Sequence, residues 1–269
     1  MAQINVSTLP VASAEQAATA LQNARSVSTT LGSLSPAGPG SIKERWPVKT
    51  CQDDDIANVV QTIVPSTVLD LGSLPRPDVW ADSSTDPPAP LQTHRVQATE
   101  TAIWKVPATV IALKMESDGD YHLVLQDSSG NMMVAEVPNP DAAYIQNYNP
   151  ADNPYHDAIA AARAAVDNQF GASIQATQFV AFTSAFSGET KLVARSAIGP
   201  GAISGTDASS LNLSAMTADP DTMQPFTVQI TPTPATVTGI GFFDKSHGAT
   251  GAAPNVFELH PVINIVFGS

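Results

Sequence analysis

The chain has 269 residues, enough for one large domain or for one domain with an appended segment. Apolar residues make up 43% of it, which is sufficient for a hydrophobic core, whereas charged residues make up only 14%. The 12 Lys and Arg against 25 Asp and Glu give a formal net charge of −13, and the basic residues are scattered singly. A field of this sign repels phosphate backbones, so the composition disfavours nucleic-acid binding.

The single cysteine, Cys51, excludes an internal disulfide and a cysteine-based metal site. It precedes the acidic run Asp53–Asp55, which would raise the pKa of a thiol, so an inert cysteine is predicted. No apolar run reaches the roughly 18 residues that a transmembrane helix needs, so no membrane span is expected. The amino terminus lacks a basic segment followed by an apolar one, and it is not predicted to be a secretory signal.

The first hundred residues are predicted to lie outside the main domain. Residues 1–41 are rich in Ser, Ala, Thr and Gly, so we expect a flexible tail with one short helix from Ala14 to Ala24. Residues 42–100 are extended and rich in proline, which is typical of an arm that packs on a neighbouring domain. We interpret Trp46 and Trp80 as the packing anchors of this arm.

Residues 101–269 are predicted to be mainly β. Alternating apolar residues and turns rich in Asp and Gly indicate five strands, at Lys105–Met115, Tyr121–Gln126, Met132–Val137, Ala235–Asp244 and Phe257–Phe267. A helix capped by Asn153, with Pro154 at its first position and a stop at Gly171, separates the third strand from the fourth. This is the order of an OB-like five-stranded barrel. Residues 172–234 are predicted to be an inserted β-rich region.

Histidines in this domain occur close to acidic residues. They form three pairs: Asp120 with His122, Asp244 with His247, and Glu258 with His260. In the first and third pairs the residues are two apart on a strand, so both side chains share a face. Imidazole nitrogens and carboxylate oxygens are ligands of zinc, and the carboxylates also suit calcium. The six residues therefore form a candidate divalent-metal site, provided that the strands bring them together.

A purely structural role for these histidines is the alternative. His122 could bond to Asp120, or His247 to Asn255, and each bond would tie a turn to a strand. Pro261 follows His260 directly and removes a donor from the strand ladder, so a bulge or a sheet edge is expected there.

Five segments of the chain occur in a characteristic order: ERWPVKT (44–50), DGDYHLVLQD (118–127), AEVPNP (135–140), GIGFFDKSHG (239–248) and APNVFELHPV (253–262). Together they resemble an uncharacterised bacterial family whose members are mostly exported. The resemblance covers residues 44–267 apart from 172–234. It implies an OB-like barrel and export, and it implies no activity. The cysteine pair that family members carry is not present in this chain.

Three functions remain open at this stage. The first is a non-enzymatic binding or structural module with a protein partner, favoured by the absence of phosphate-binding and nucleophile motifs. The second is a metal-dependent hydrolase, such as a phosphodiesterase or a nuclease-like enzyme, with the six residues around an ion. The third is a self-assembling surface or filament subunit, bridged by the tail or the inserted region. Convergence of the six side chains within about 5 Å would favour a metal site over separate hydrogen-bonded pairs.

Overall fold

The computed structural model describes residues 2–26, 45–116, 119–140, 149–183, 190–194 and 226–268. Helices α1–α4 span Ala14–Arg25, Trp46–Lys49, Val68–Gly72 and His156–Gln178. Strands β1–β9 span Ile63–Pro65, Ile103–Met115, Tyr121–Gln126, Met132–Val137, Phe179–Thr183, Thr190–Ala194, Phe226–Val228, Thr233–Phe243 and Phe257–Phe267. Within these residues, no helix is both long enough and apolar enough to cross a bilayer.

Five strands close into a barrel in the order β2-β3-β4-β9-β8, with β8 pairing back to β2. All neighbours are antiparallel except β4 and β9, which run parallel. Closure depends on the length of β2, because its 13 residues pair with β8 from Ile103 to Val110 and with β3 from Thr109 to Met115. The strand order, with α4 between β4 and β8, confirms the predicted OB-like barrel.

Alternation along the strands gives the barrel an apolar inside and an outer face of mixed character. Leu123 and Leu125 of β3 belong to the main hydrophobic core, as do Met133 and Ala135 of β4. The residues between them therefore face outward, since successive strand side chains point to opposite sides. The outer face of β3 and β4 is where the polar residues of the candidate site lie.

Pro261 produces the predicted bulge. The register of β8 against β9 shifts on both sides of Gly239, so that Gly239 pairs with Val262 while Gly241 pairs with Leu259. Between Asn264 and Leu259 the strand β9 thus carries two more residues than the facing segment of β8, as expected where a proline cannot donate to the ladder.

Helix α4 differs from its prediction at both ends. It begins at His156 rather than at Pro154, because the Asn153 side chain accepts the N–H of Tyr155 in a turn that precedes the helix. It also runs past Gly171, the predicted stop. Glycine costs about 1 kcal/mol relative to alanine inside a helix. The apolar face continues beyond it with the buried Ile174, and this packing favours continued helix.

The predicted inserted region is heterogeneous. Its first residues belong to α4, and β5 with β6 forms a separate two-stranded sheet. The short strand β7 pairs with β2 at Leu113–Met115, beyond the end of the β8 pairing. Residues 184–189 and 195–225 lie outside the described residues.

Residues 2–26 differ from the predicted flexible tail. The predicted short helix is present as α1, and Ser13 and Gln16 form a capping box at its start. The backbone of Ile63 donates to Pro10 and accepts from Ala12, which continues the sheet onto the amino-terminal segment. These backbone contacts order a segment that has few large apolar side chains. Residues 27–44 lie outside the described part of the chain.

A buried ion pair within the arm also contacts Phe243 at the end of β8. The guanidinium of Arg45 contacts both carboxylate oxygens of Glu100 at 2.7 and 2.8 Å, and both side chains are at most 1% exposed. The remaining Arg45 donors reach the carbonyl oxygens of Leu91, His94 and Phe243. All five N–H groups of Arg45 are therefore satisfied, which a buried guanidinium requires.

The arm contains a second buried ion pair. Arg95 binds Asp53 through Nε and Nη2, with the shortest contact at 2.7 Å, and it also donates to the carbonyl oxygen of Val48. Trp80 is buried in the main core, in agreement with its interpretation as a packing anchor. Gly241 allows the arm to approach, since a Cβ there would lie 2.4 Å from the carbonyl oxygen of Thr99.

Replacing Arg45 with alanine is expected to lower the free energy of unfolding by about 3–5 kcal/mol, because Glu100 would remain buried without its counter-charge. Urea unfolding measures this change. The matched control is Arg25→Ala, which removes the exposed ion pair with Asp70 and should cost no more than about 1 kcal/mol. Equal effects of the two substitutions would show that the buried pair does not hold the arm.

Candidate metal centre

Three neighbouring strands bring a histidine, a glutamate and a second histidine into one row on the outer face of the barrel. His122 of β3 pairs in register with Glu136 of β4, and the parallel pairing of β4 with β9 places His260 beside Glu136. The two oxygens of Glu136 then serve one imidazole each. Its Oε1 lies 2.9 Å from His122 Nδ1, and its Oε2 lies 3.0 Å from His260 Nδ1.

The second nitrogen of His260 is the unusual atom of this row. The side chain is completely buried, yet its Nε2 has no hydrogen-bond partner among the described residues. Its nearest charged neighbour is Asp120 Oδ2, at 3.7 Å, while the other oxygen of Asp120 accepts the N–H of Asn139. Glu258 also approaches His260, on the Nδ1 side, at 3.1 Å.

Two sets of three residues have ligand atoms that all lie within 4.8 Å of one another: Asp120, Glu136 and His260 in one set, and Glu116, His122 and Glu136 in the other. Bonds from zinc to nitrogen or oxygen measure about 2.0–2.2 Å, so ligands of one ion are separated by about 3–4 Å. The 3.7 Å between His260 and Asp120 matches this separation.

The predicted pair of Asp244 with His247 remains local. His247 Nε2 bonds to Asp244 Oδ2 at 2.9 Å, and neither residue belongs to the two three-residue sets. The expected alternative pairings also differ from those in the structure. His122 bonds to Glu136 rather than to Asp120, and Asn255 bonds to backbone groups rather than to His247.

Burial and shared hydrogen bonds shift the protonation of the row. Burial lowers the pKa of His260, but its bonds to Glu136 and Glu258 outweigh burial and raise that pKa to about 9. Burial acts against the charge of Glu136, yet the two imidazoles hold its pKa well below the ordinary value. Burial, followed by the charges of Glu136 and Asp244, raises the pKa of Glu258 to about 7.

Lys49 supplies a further positive charge to the cluster. It is only 7% exposed, and its ammonium lies 5.6 Å from the centre of the Phe242 ring. Its charge acts on Glu136, Asp244 and His260. Lys49 ends helix α2, which begins directly after Arg45, so the buried ion pair of the arm also positions this charge.

The loop between β8 and β9 covers the row from outside. The carbonyl oxygen of Thr250 lies 3.3 Å from His122 Nε2, and Gly251 packs on Val124 so closely that a Cβ would lie 2.3 Å from a methyl carbon. Gly251 also has a φ of +83°, so only glycine suits this position. Arg76 of the arm holds both ends of the loop by donating to the carbonyls of Asp244 and Asn255.

A cavity of about 260 Å³ opens between this loop and the end of β2. His122 lies at its inner side and His247 at its mouth. His260 and Asp120 do not line it. His122 is therefore the member of the row that borders the cavity.

The sequence predicted four of the residues that converge, namely Asp120, His122, Glu258 and His260, but neither Glu116 nor Glu136. The signal was available, because a tight meander places residue 136 opposite residue 122 once the register of the hairpin is known. Cys51 is completely buried, and burial raises its pKa to about 12, in agreement with an inert thiol.

Comparison of the chain with protein-family models, with curated proteins and with solved structures found no match. The family suggested by the motifs of residues 44–267 therefore stays a prediction.

Glu136→Gln is expected to lower the pKa values of His122 and His260, because it removes the charge that both imidazoles share. It should leave the pKa of His247 unchanged, since Asp244 supports that residue. NMR titration of the histidines in chelator-treated protein measures all three.

The matched variant is Asp244→Asn, which should lower the pKa of His247 alone. If Asp244→Asn moved the pKa of His260 as far as Glu136→Gln does, the division into a row and a separate pair would be wrong.

Proposed function

We propose that this protein is a binding module whose ligand is a divalent metal ion, held on the outer face of the barrel by Asp120, Glu136 and His260. The observation that carries the proposal is the fully buried Nε2 of His260, which has no hydrogen-bond partner in the described residues and lies 3.7 Å from a carboxylate oxygen. A buried polar atom without a partner costs about 1–3 kcal/mol. An ion between the two residues would remove this cost.

The donor set supports zinc, or a similar first-row ion, over calcium. Calcium takes 6–8 oxygen ligands in an open and flexible arrangement. One imidazole nitrogen with two carboxylates is a set that zinc binds. In addition, Glu258 contacts the Nδ1 of His260 at 3.1 Å, and such a second contact to a ligating imidazole is a regular feature of metal sites.

Burial of the ligands restricts the access of a substrate to an ion bound by them. A catalytic zinc keeps one position open to water or substrate. Here Asp120 and His260 are almost completely buried, and neither lines the neighbouring cavity. We therefore favour metal binding over metal-dependent hydrolysis as the function. Self-assembly and a protein partner stay predictions.

The purified protein is expected to bind about one equivalent of Zn²⁺, because the proposed set of Asp120, Glu136 and His260 holds one ion. Isothermal titration calorimetry and metal analysis measure the stoichiometry. Asp120→Asn should weaken binding by at least about tenfold while preserving the fold, since an amide oxygen can still accept from Asn139.

Two variants complete this experiment. His260→Ala should abolish binding at the site. His94→Ala removes a histidine that belongs to neither three-residue set, and it should leave the stoichiometry unchanged. Urea unfolding of each variant shows whether its fold survives. Unchanged Zn²⁺ binding by folded Asp120→Asn and His260→Ala proteins would refute the proposal.

Zinc affinity is expected to rise with pH up to about pH 9. A ligating imidazole must lose the proton that occupies its metal-binding nitrogen, and the pKa of His260 is raised to about 9. Below that value each pH unit should strengthen binding by up to about tenfold per proton released. Calorimetry in buffers of different ionisation enthalpy counts these protons. Binding that releases no proton at pH 7 would contradict a role for His260 as ligand.

A further inference from the structure

The cavity beside the candidate metal centre differs in charge from the rest of the protein. The chain has 25 acidic residues and a net charge of −13, yet none of the described side chains that line the cavity is acidic. Lys114 and His247 both line it. The Lys114 ammonium has three N–H groups and bonds to Glu116 at 2.8 Å. The N–H groups that do not face Glu116 can donate to a ligand.

The loop adds backbone donors to the same cavity. Gly248, Ala249 and Thr250 form part of its lining. Their N–H groups donate to no acceptor within the parts of the chain that the structure describes. Gly248 and Gly251 flank the stretch with φ values of +79° and +83°. Successive N–H groups in a glycine-containing loop are a frequent way of binding anions.

The carboxylates near the cavity are occupied by other partners. Asp244 accepts from His247, and its side chain is only 16% exposed. Because Asp244 takes the Nε2 of His247, the Nδ1 of that imidazole is the nitrogen left for a ligand. Glu136 is likewise engaged with His122 and His260 behind the cavity wall.

We propose that this cavity binds a compact oxyanion, a phosphate group or a carboxylate, through Lys114, His247 and the backbone N–H groups of residues 248–250. The cavity volume of about 260 Å³ lies below the roughly 300–1,000 Å³ of pockets for drug-sized molecules, so the ligand is small. Thr227 lines the cavity as well and offers a hydroxyl to the same ligand. This site does not depend on the proposed metal ion.

Inorganic phosphate is the first probe, followed by acetate, with sodium chloride at equal ionic strength as the reference. Two-dimensional NMR of the full chain follows the amide signals of residues 248–250 during each titration. Phosphate should shift them in a saturable manner. Lys114→Ala and His247→Ala should each weaken this binding by about tenfold or more, as the loss of a charge-assisted hydrogen bond does.

Lys105→Ala is the matched control, because it removes one positive charge from the same strand without touching the cavity. If it weakens phosphate binding as much as Lys114→Ala does, or if chloride causes the same shifts, the proposal is overturned. Tighter binding of acetate than of phosphate would support the site and assign it to carboxylates. Repeating the titration with Asp120→Asn separates the two sites, since loss of zinc binding there should leave phosphate binding unchanged.

Discussion

The arrangement of the molecule depends on the buried contact between Arg45 and Glu100. One carboxylate binds the guanidinium of the arm, accepts the N–H of Phe243 at the end of β8 and accepts the N–H of Val96 in its own loop. Removing two charges from water is costly, and such a pair is tolerated only where every donor and acceptor is satisfied, as it is here. The contact therefore holds the arm against the end of β8. It also places Lys49 where its charge acts on Glu136 and Asp244.

The outer face of the barrel becomes a buried polar layer as a result. Arg76 of the arm holds the loop between β8 and β9, and this loop covers the row of His122, Glu136 and His260. Charges in such a layer must compensate one another, and Glu136 does so by facing one imidazole with each oxygen. Lys49 and the protons of the imidazoles supply positive charge to this layer, and the proposed zinc ion would replace part of these protons, which is why we expect zinc binding to release protons.

The sequence was sufficient to predict the barrel, because its strands alternate regularly and its turns contain Asp and Gly. The position of Glu136 opposite His122 follows from the register of a hairpin, but the full set of its partners depends on two strand pairings. One of these joins residue 136 to residue 260, far apart in the sequence. The end of α4 was missed because packing around Ile174 outweighs the weak helix propensity of Gly171. The order in residues 2–26 arises from backbone pairing with Ile63, which composition does not reveal.

Anomalous diffraction from crystals grown with Zn²⁺ tests the central claim most directly, since it locates the ion among the side chains. We predict one strong peak at the zinc edge within about 2.3 Å of both His260 Nε2 and a carboxylate oxygen of Asp120, with Glu136 as a further ligand. A peak only at exposed groups such as His247, with a water molecule bonded to His260 Nε2, would contradict the account.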